Sequence, residues 1–258
     1  MQSFIHNGQE LKYKTLGDPE CDVVVIWGHG WGHNHAHLEP IARPLENIGF
    51  HCVLDFPGFG QSPVPHDAWG PEDYAAFIVE FIKSFSGKHI IWVGHSFGCR
   101  VGVHIASTHR DLFSSMCLIA AAGLPRKRSL HKAIYFKARI ALYKFMKKIT
   151  KFGLSENWLK SKFGSSDYRN AGVLRDILVK TVNENLTQDA KLIKCPTTLV
   201  FGAQDDQTPP EMGERYHKLI PGSEFIQLEG YDHYSILTEG QHQLARTIKN
   251  IIENVKTS

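Results

Sequence analysis

The stretch from Ile90 to Gly98 reads IIWVGHSFG and ends in a G-x-S-x-G pattern, Gly94 to Gly98. An apolar, β-branched run precedes it and a helical pattern, Phe97 to Thr108, follows. A strand turning sharply into a helix strains the φ/ψ of its serine and pushes the hydroxyl out at the carboxyl edge of a sheet. Gly94 and Gly98 leave room for neighbouring backbone. Ser96 is therefore the candidate nucleophile. A serine hydroxyl is weak until a base takes its proton, and the base needs an orienting acid. Downstream, TTLVF runs into GAQDDQTPP and EFIQL runs into EGYDHYSIL. These loops hold Asp205, with Asp206 as a rival acid, and His233. The chain order is serine, acid, histidine, and each candidate follows a strand end, where a parallel sheet collects its functional loops.

Acyl transfer also needs two N–H donors for the tetrahedral oxyanion, each lowering the barrier by ~2.7–4 kcal/mol. The N–H of Phe97, next after the serine, is one candidate. The other is the N–H of Trp31, in the loop HGWGHNHAH (29–37). Gly30 is expected to turn that chain back against Ser96, with Gly32 supporting the loop and His29 packing or hydrogen-bonding locally to hold it. Four histidines in nine residues also suggest a metal. After His33-x-His35, however, the next two ligands of an HxHxDH motif would fall at His37 and Leu38, and leucine cannot ligate. HExxH is missing, and no Cys or His pair completes a closed zinc site. The expectation is no metal, and the loop is wanted for its amide. With no Gly-rich phosphate loop or dinucleotide fingerprint, no organic cofactor is expected either.

The elements that must position these groups are legible. IHNGQELKYKTL reads as a hairpin around Asn7-Gly8. Non-alternating apolar runs then recur at 22–27, 51–56, 89–93, 115–120, 197–201 and 224–228, as strands buried on both faces do. Helical patterns lie between most of them: Glu72 to Phe85 after Pro71, Phe97 to Thr108, Glu211 to Ile220, and Gln241 to Val255. The pattern predicts an α/β fold with a mostly parallel sheet after an N-terminal antiparallel hairpin. About 75 residues between SMCLIA and TTLVF lack a convincing strand. Their centre, His131 to Phe152, is amphipathic at helical spacing and predicts a helical insertion.

The composition, 42% hydrophobic and 21% charged, is that of an ordinary globular protein. Five cysteines, never in CxxC spacing, mostly sit in or beside apolar runs, which favours a reducing compartment and a cytoplasmic location. The N-terminus lacks a basic-then-apolar signal layout, and no apolar run reaches the ~18 residues of a membrane span. Net charge is +3, but residues 126–162 carry twelve Lys and Arg against one acid, Glu156. That segment is +11, which leaves −8 for the rest. Lys144, Lys147, Lys148 and Lys151 make a candidate patch for an anionic partner, an acidic carrier protein or an anionic membrane surface, and not for nucleic acid in general.

Taken together, HGWG (29–32), DFPGFGQS (55–62), GHSFG (94–98), GAQDDQTP (202–209) and YDH (231–233) make the sequence resemble the α/β-hydrolase superfamily over almost its whole length. The resemblance implies a Ser96–Asp205–His233 triad, an oxyanion hole at Trp31 and Phe97, and a helical cap. It implies a core of residues 1–123 and 191–258 with the cap at 124–190. Ser96 disfavours the relatives with an aspartate nucleophile. Cys99 departs from the small residue usual there and is expected to pack inside the helix. The sequence is similar to small carboxylesterases and to pimeloyl-carrier-protein methyl ester esterases. These imply cleavage of a small-molecule or carrier-linked ester through an acyl-serine. C–C bond hydrolysis uses the same triad and is the alternative reaction. A non-enzymatic binding protein on this fold would have lost a triad residue, and none is lost.

Overall fold

The computed structural model describes residues 1–126 and 171–257. One eight-stranded sheet organises them, in the order β1-β2-β4-β3-β5-β6-β7-β8. β1 (Gln2–His6) and β2 (Gln9–Leu16) form the antiparallel hairpin. Asn7 and Gly8 turn it with φ of 49° and 78°, the left-handed pair that a two-residue hairpin needs. β2 pairs antiparallel with β4 (Phe50–Asp55), and every other pairing is parallel. The parallel strands are β3 (Val23–Gly28), β4, β5 (His89–His95), β6 (Ser115–Ile119), β7 (Thr197–Gly202) and β8 (Glu224–Leu228).

The missing alternation has a direct cause. Val24, Ile26, Ile90, Trp92, Met116 and Leu118 pack on one face of the sheet. Their chain neighbours Val25, Trp27, Ile91, Val93, Cys117 and Ile119 pack on the other. Successive side chains point to opposite faces, and both faces here are covered, so apolar residues stand at successive positions. The first face is covered by α2 (Pro71–Ile82), α3 (Phe97–Thr108) and, later in the chain, α6 (Pro210–Leu219). The second is covered by α1 (Glu39–Ala42) and the C-terminal α8 (Gln241–Thr257). α8 meets the core along Leu244, Ile248, Ile251, Ile252 and Val255, one stripe at helical spacing.

Two short helices, α4 (Arg175–Asn183) and α5 (Thr187–Ala190), fall within the interval between β6 and β7. Leu186 N–H donates to the carbonyl of Gly123 at 2.9 Å, joining the two described ends of that interval. The amphipathic stretch 131–152 and the four lysines 144, 147, 148 and 151 lie outside the described residues. Between β8 and α8 lies α7 (Ser235–Thr238). No helix among the described residues is long and apolar enough to cross a membrane.

Candidate active site

β3, β5, β7 and β8 end level with one another. Gly28 pairs with Gly94, His95 with Ile119, and Gly202 with Leu228. The loops that follow therefore open at one edge of the sheet. After β5 the chain turns at Ser96, with φ 49° and ψ −99°, straight into α3. Such a left-handed φ in a serine is strained. The turn is held by backbone: Ser96 N–H donates to Ile119 O at 3.0 Å, and Gly98 N–H to His29 O at 3.0 Å. A Cβ on Gly98 would sit 2.0 Å from Gly28 O, so only glycine lets α3 start against the end of β3. That contact brings the loops of Trp31 and Phe97 together. No described residue accepts from either N–H, leaving both available to a ligand. Gly94 lies under the same turn, its Cβ position 2.8 Å from Cys99 N. Cys99 is fully buried, and its thiol lies 3.1 Å from Gly94 O. It packs inside α3, as expected.

His233 Nε2 lies 3.1 Å from Ser96 Oγ, and His233 Nδ1 lies 2.7 Å from Asp205 Oδ2. Asp205 and His233 are buried, whereas Asp206 is exposed. Asp205 is also anchored. Its Oδ1 accepts from the N–H groups of Gln207 (2.7 Å) and Thr208 (2.8 Å), and the Thr208 hydroxyl lies 2.8 Å from Oδ2. Thr208 was not singled out in the sequence, although an Asp with a Thr three residues on is the local pattern of such a turn. Replacing Asp205 by Asn is expected to lower turnover by as much as ~10⁴-fold, because the wrong imidazole tautomer is then favoured. Asp206→Asn is expected to stay within a few fold. Steady-state rates of the two variants on one ester check this, and a crippled Asp206→Asn beside a mild Asp205→Asn would reverse the assignment.

The histidine-rich loop proves to be a scaffold with separate tasks. His29 is fully buried; its Nδ1 lies 2.7 Å from Gly30 O, and its Nε2 accepts the Phe56 N–H at 3.0 Å. Burial pushes its pKa down to about 4, so the ring is neutral and both nitrogens are used. His35 binds Asp55 through its backbone N–H (2.7 Å) and Nδ1 (2.9 Å). Asp55 begins the DFPGFGQS loop. It is fully buried, and its other oxygen accepts from Gln61 N–H at 2.8 Å. The loops after β3 and β4 are thus stapled through a carboxylate. Gly30 opens the turn, its carbonyl accepting the His33 N–H at 3.1 Å, and the left-handed residue within it is Gly32 at φ 73°. A Cβ on Gly30 would lie 2.6 Å from His95 Nδ1, so a glycine lets the loop pass against the neighbour of Ser96.

A cavity of about 670 Å³ opens over Ser96 and His233. Trp31, Phe97, Leu124, Leu178 and Met212 give it apolar walls. Arg100 and Glu184, paired at 2.9 Å, also reach it. Glu184 joins Glu72 and His104 in the one grouping of three metal-competent side chains among the described residues. Glu184 is already engaged there by Arg100 and by His104 at 2.5 Å. None of the loop histidines belongs to that grouping.

Residues 23–247 match the model of the Alpha/beta hydrolase family. The chain belongs to this family. It is 28% identical over 245 residues to Lipase 1 of Psychrobacter immobilis, covering 88% of this chain and 76% of that one. It is 24% identical over 236 residues to the pimeloyl-[acyl-carrier protein] methyl ester esterase of Vibrio cholerae, covering 85% and 90%. The fold superposes on a thermophilic esterase from Thermogutta terrifontis with a TM-score of 0.74 at 18% identity, over 99% of both chains.

Proposed function

We propose that this α/β hydrolase cleaves carboxylic esters through an acyl-serine at Ser96. The observation that carries the proposal is the unbroken hydrogen-bonded line Asp205–His233–Ser96, at 2.7 and 3.1 Å. His233 Nε2 takes the Ser96 proton as Oγ adds to the ester carbonyl. The N–H groups of Trp31 and Phe97 stabilise the resulting oxyanion. His233 then protonates the leaving alcohol, and water releases the acid by the same steps in reverse roles. Asp205 holds the imidazole in the tautomer that leaves Nε2 free to accept. Relatives named as a lipase and as methyl ester esterases support ester cleavage as the reaction. The cavity's apolar walls suit an acyl chain. Segment 124–190 acts in this proposal as a cap, a role supported by Leu178 and Val182 of α4 lining the cavity. Five cysteines without a disulfide support a cytoplasmic location. The test is a panel of p-nitrophenyl esters of graded acyl length, with a serine-directed phosphonate. Turnover that survives chelator, with phosphonate mass on Ser96, is the expected result. Loss of activity in EDTA, restored by zinc, would overturn it.

The partner in this proposal is an acidic acyl carrier protein. The support is the +11 charge of residues 126–162 in an otherwise acidic chain, and relatives whose printed substrate is carrier-linked. Long-range attraction raises association rate and is screened over ~8–10 Å at physiological salt. kcat/KM for a carrier-linked methyl ester is therefore expected to fall steeply with salt, while a small neutral ester stays level. Replacing Lys144, Lys147, Lys148 and Lys151 by Gln should reproduce the salt effect. A salt response seen only with anionic vesicles would name a membrane surface instead, and an equal response of both esters would remove the partner.

A further inference from the structure

The hydroxyl of Thr208 stands where Asp205 meets His233. It lies 2.8 Å from Asp205 Oδ2, 3.2 Å from His233 Nδ1 and 3.1 Å from the carbonyl oxygen of Ala120. Thr208, Asp205 and His233 are buried, and Ala120 is fully so. The hydroxyl has one proton to give. Among the described residues two acceptors are within its reach, Oδ2 and the Ala120 carbonyl, because His233 Nδ1 carries its own proton toward Oδ2 at 2.7 Å. The distances among Oγ1, Oδ2 and Nδ1 close a small triangle. Seen from Oγ1, the other two atoms are well under a right angle apart. A hydroxyl lone pair stands more than a right angle from its O–H bond. An O–H aimed at Oδ2 therefore has no lone pair aimed at Nδ1, and two protons converge on one carboxylate oxygen. An O–H aimed at the Ala120 carbonyl leaves Oδ2 to the imidazole and frees a lone pair for Nδ1. The hydroxyl thus has two exclusive settings. The second exists because of Ala120, which leaves β6 at φ 49°, a left-handed conformation that strains an alanine, with its carbonyl against Thr208.

We propose that Thr208 is a positioning residue for His233, its hydroxyl switching between Asp205 and Ala120 as the imidazole gains and loses charge. The proposal rests on the acyl-serine reading above. With His233 neutral, the O–H donates to Oδ2, the nearer and charged acceptor. When Nε2 takes the Ser96 proton, Nδ1–H becomes the stronger donor. The O–H then turns to the Ala120 carbonyl, and Oγ1 joins Oδ2 in accepting from Nδ1. When Nε2 gives its proton to the leaving alcohol, the hydroxyl turns back. Thr208 gains and loses no proton, and only its hydrogen bonds change. The second acceptor for Nδ1–H appears only while the ring is charged. An interaction stronger in the transition state than in the ground state is the kind that raises kcat. A valine would fill the same space and offer neither setting.

Thr208→Val keeps the branched shape and the backbone N–H that donates to Asp205 Oδ1 at 2.8 Å, and it removes only the hydroxyl. Both half-reactions charge His233, so kcat reads the effect whichever is slower. On p-nitrophenyl acetate kcat is expected to fall about ten- to a hundredfold, the worth of a hydrogen bond to a charged group, with KM within about twofold. Thr208→Ser returns the hydroxyl and should bring kcat back to within about threefold of wild type. Thr208→Ala should show the same fall if the valine variant melts early. An Asp205→Asn background separates the switch from packing. There the wrong tautomer prevails and the switch has no charged partner, so adding Thr208→Val should change turnover by less than about twofold. A packing role would cost the same factor in both backgrounds. Equal factors in the two, a Thr208→Val enzyme at the wild-type rate, or Thr208→Ser as slow as Thr208→Val would overturn the switch and leave the acyl-serine standing. If the serine-directed phosphonate adds no mass to Ser96 of the wild-type protein, the acyl-serine reading fails, and the switch fails with it.

Discussion

Ser96→Ala is expected to lower ester turnover by about 10⁴–10⁶-fold, as loss of a serine nucleophile does when its base is kept. The folded state should hardly notice. Among the described residues the one hydrogen bond of Ser96 Oγ is with His233 Nε2, and the side chain is half-buried at the floor of an open cavity. The thermal midpoint should stay within about 2 °C of wild type. The oxyanion donors of the proposed mechanism remain, because the N–H groups of Trp31 and Phe97 belong to backbone the substitution does not move. A residual rate of ~10³–10⁴ over water is therefore consistent with the mechanism. The check pairs a turnover assay with a melt on the same preparation. Activity within tenfold of wild type, in a protein that melts normally, would place the nucleophile elsewhere.

The second large effect is acid unfolding. His29, His51 and His95 are fully buried. His29 and His51 use both ring nitrogens in the neutral form. His51 accepts from Trp27 Nε1 at 3.1 Å, and its Nε2 lies 3.0 Å from Leu45 O. Burial pushes His29 and His51 down to about 4, from an ordinary 6.5, and holds His95 well below its usual value. Between those values the unfolded chain binds protons that the native chain refuses, so stability rises with pH there and is lost as pH falls from 6.5 toward 4. Each such histidine contributes a slope of about 1.4 kcal/mol per pH unit, and with His33, which burial also pushes down to about 4, the four amount to up to ~5–6. Total stability is ~5–15 kcal/mol for an ordinary domain, so unfolding is expected within a few units below neutrality. His104 works in the opposite sense. Burial disfavours its charge, but the Glu184 carboxylate beside it raises its pKa above 6.5, so its contribution fades as pH climbs through that range. Denaturant titrations at a series of pH values measure the slope. His51→Gln can still accept from Trp27 and donate to Leu45 but cannot be charged, and it should flatten the slope by about one quarter. A stability that stays level from neutral to pH 5 would show that these rings are not held neutral.

The nucleophile turn, the strand pattern and the two-sided burial of the sheet were all legible in the amino-acid sequence because each is local. GHSFG needs glycines at fixed offsets from a serine so that strand and helix can meet, and that steric demand is written within five residues. The apolar strands lost their alternation because both neighbouring layers are apolar, which also shows along the chain. The tertiary structure decided what depends on approach. Asp205 and Asp206 are chemically the same, and the fold separates them by burying one beside His233 and leaving the other exposed. The Thr208 hydroxyl lies 3.1 Å from the carbonyl oxygen of Ala120, a contact that only the fold creates. The four histidines of 29–37 looked alike in the sequence. In the fold, His29 ties the loop to Phe56 and His35 ties it to Asp55, while His33 stacks between His37 and His95. The last contact crosses more than sixty residues of chain. No spacing rule reaches that far, because the distance between those rings is set by how β3 and β5 pair and not by the residues between them.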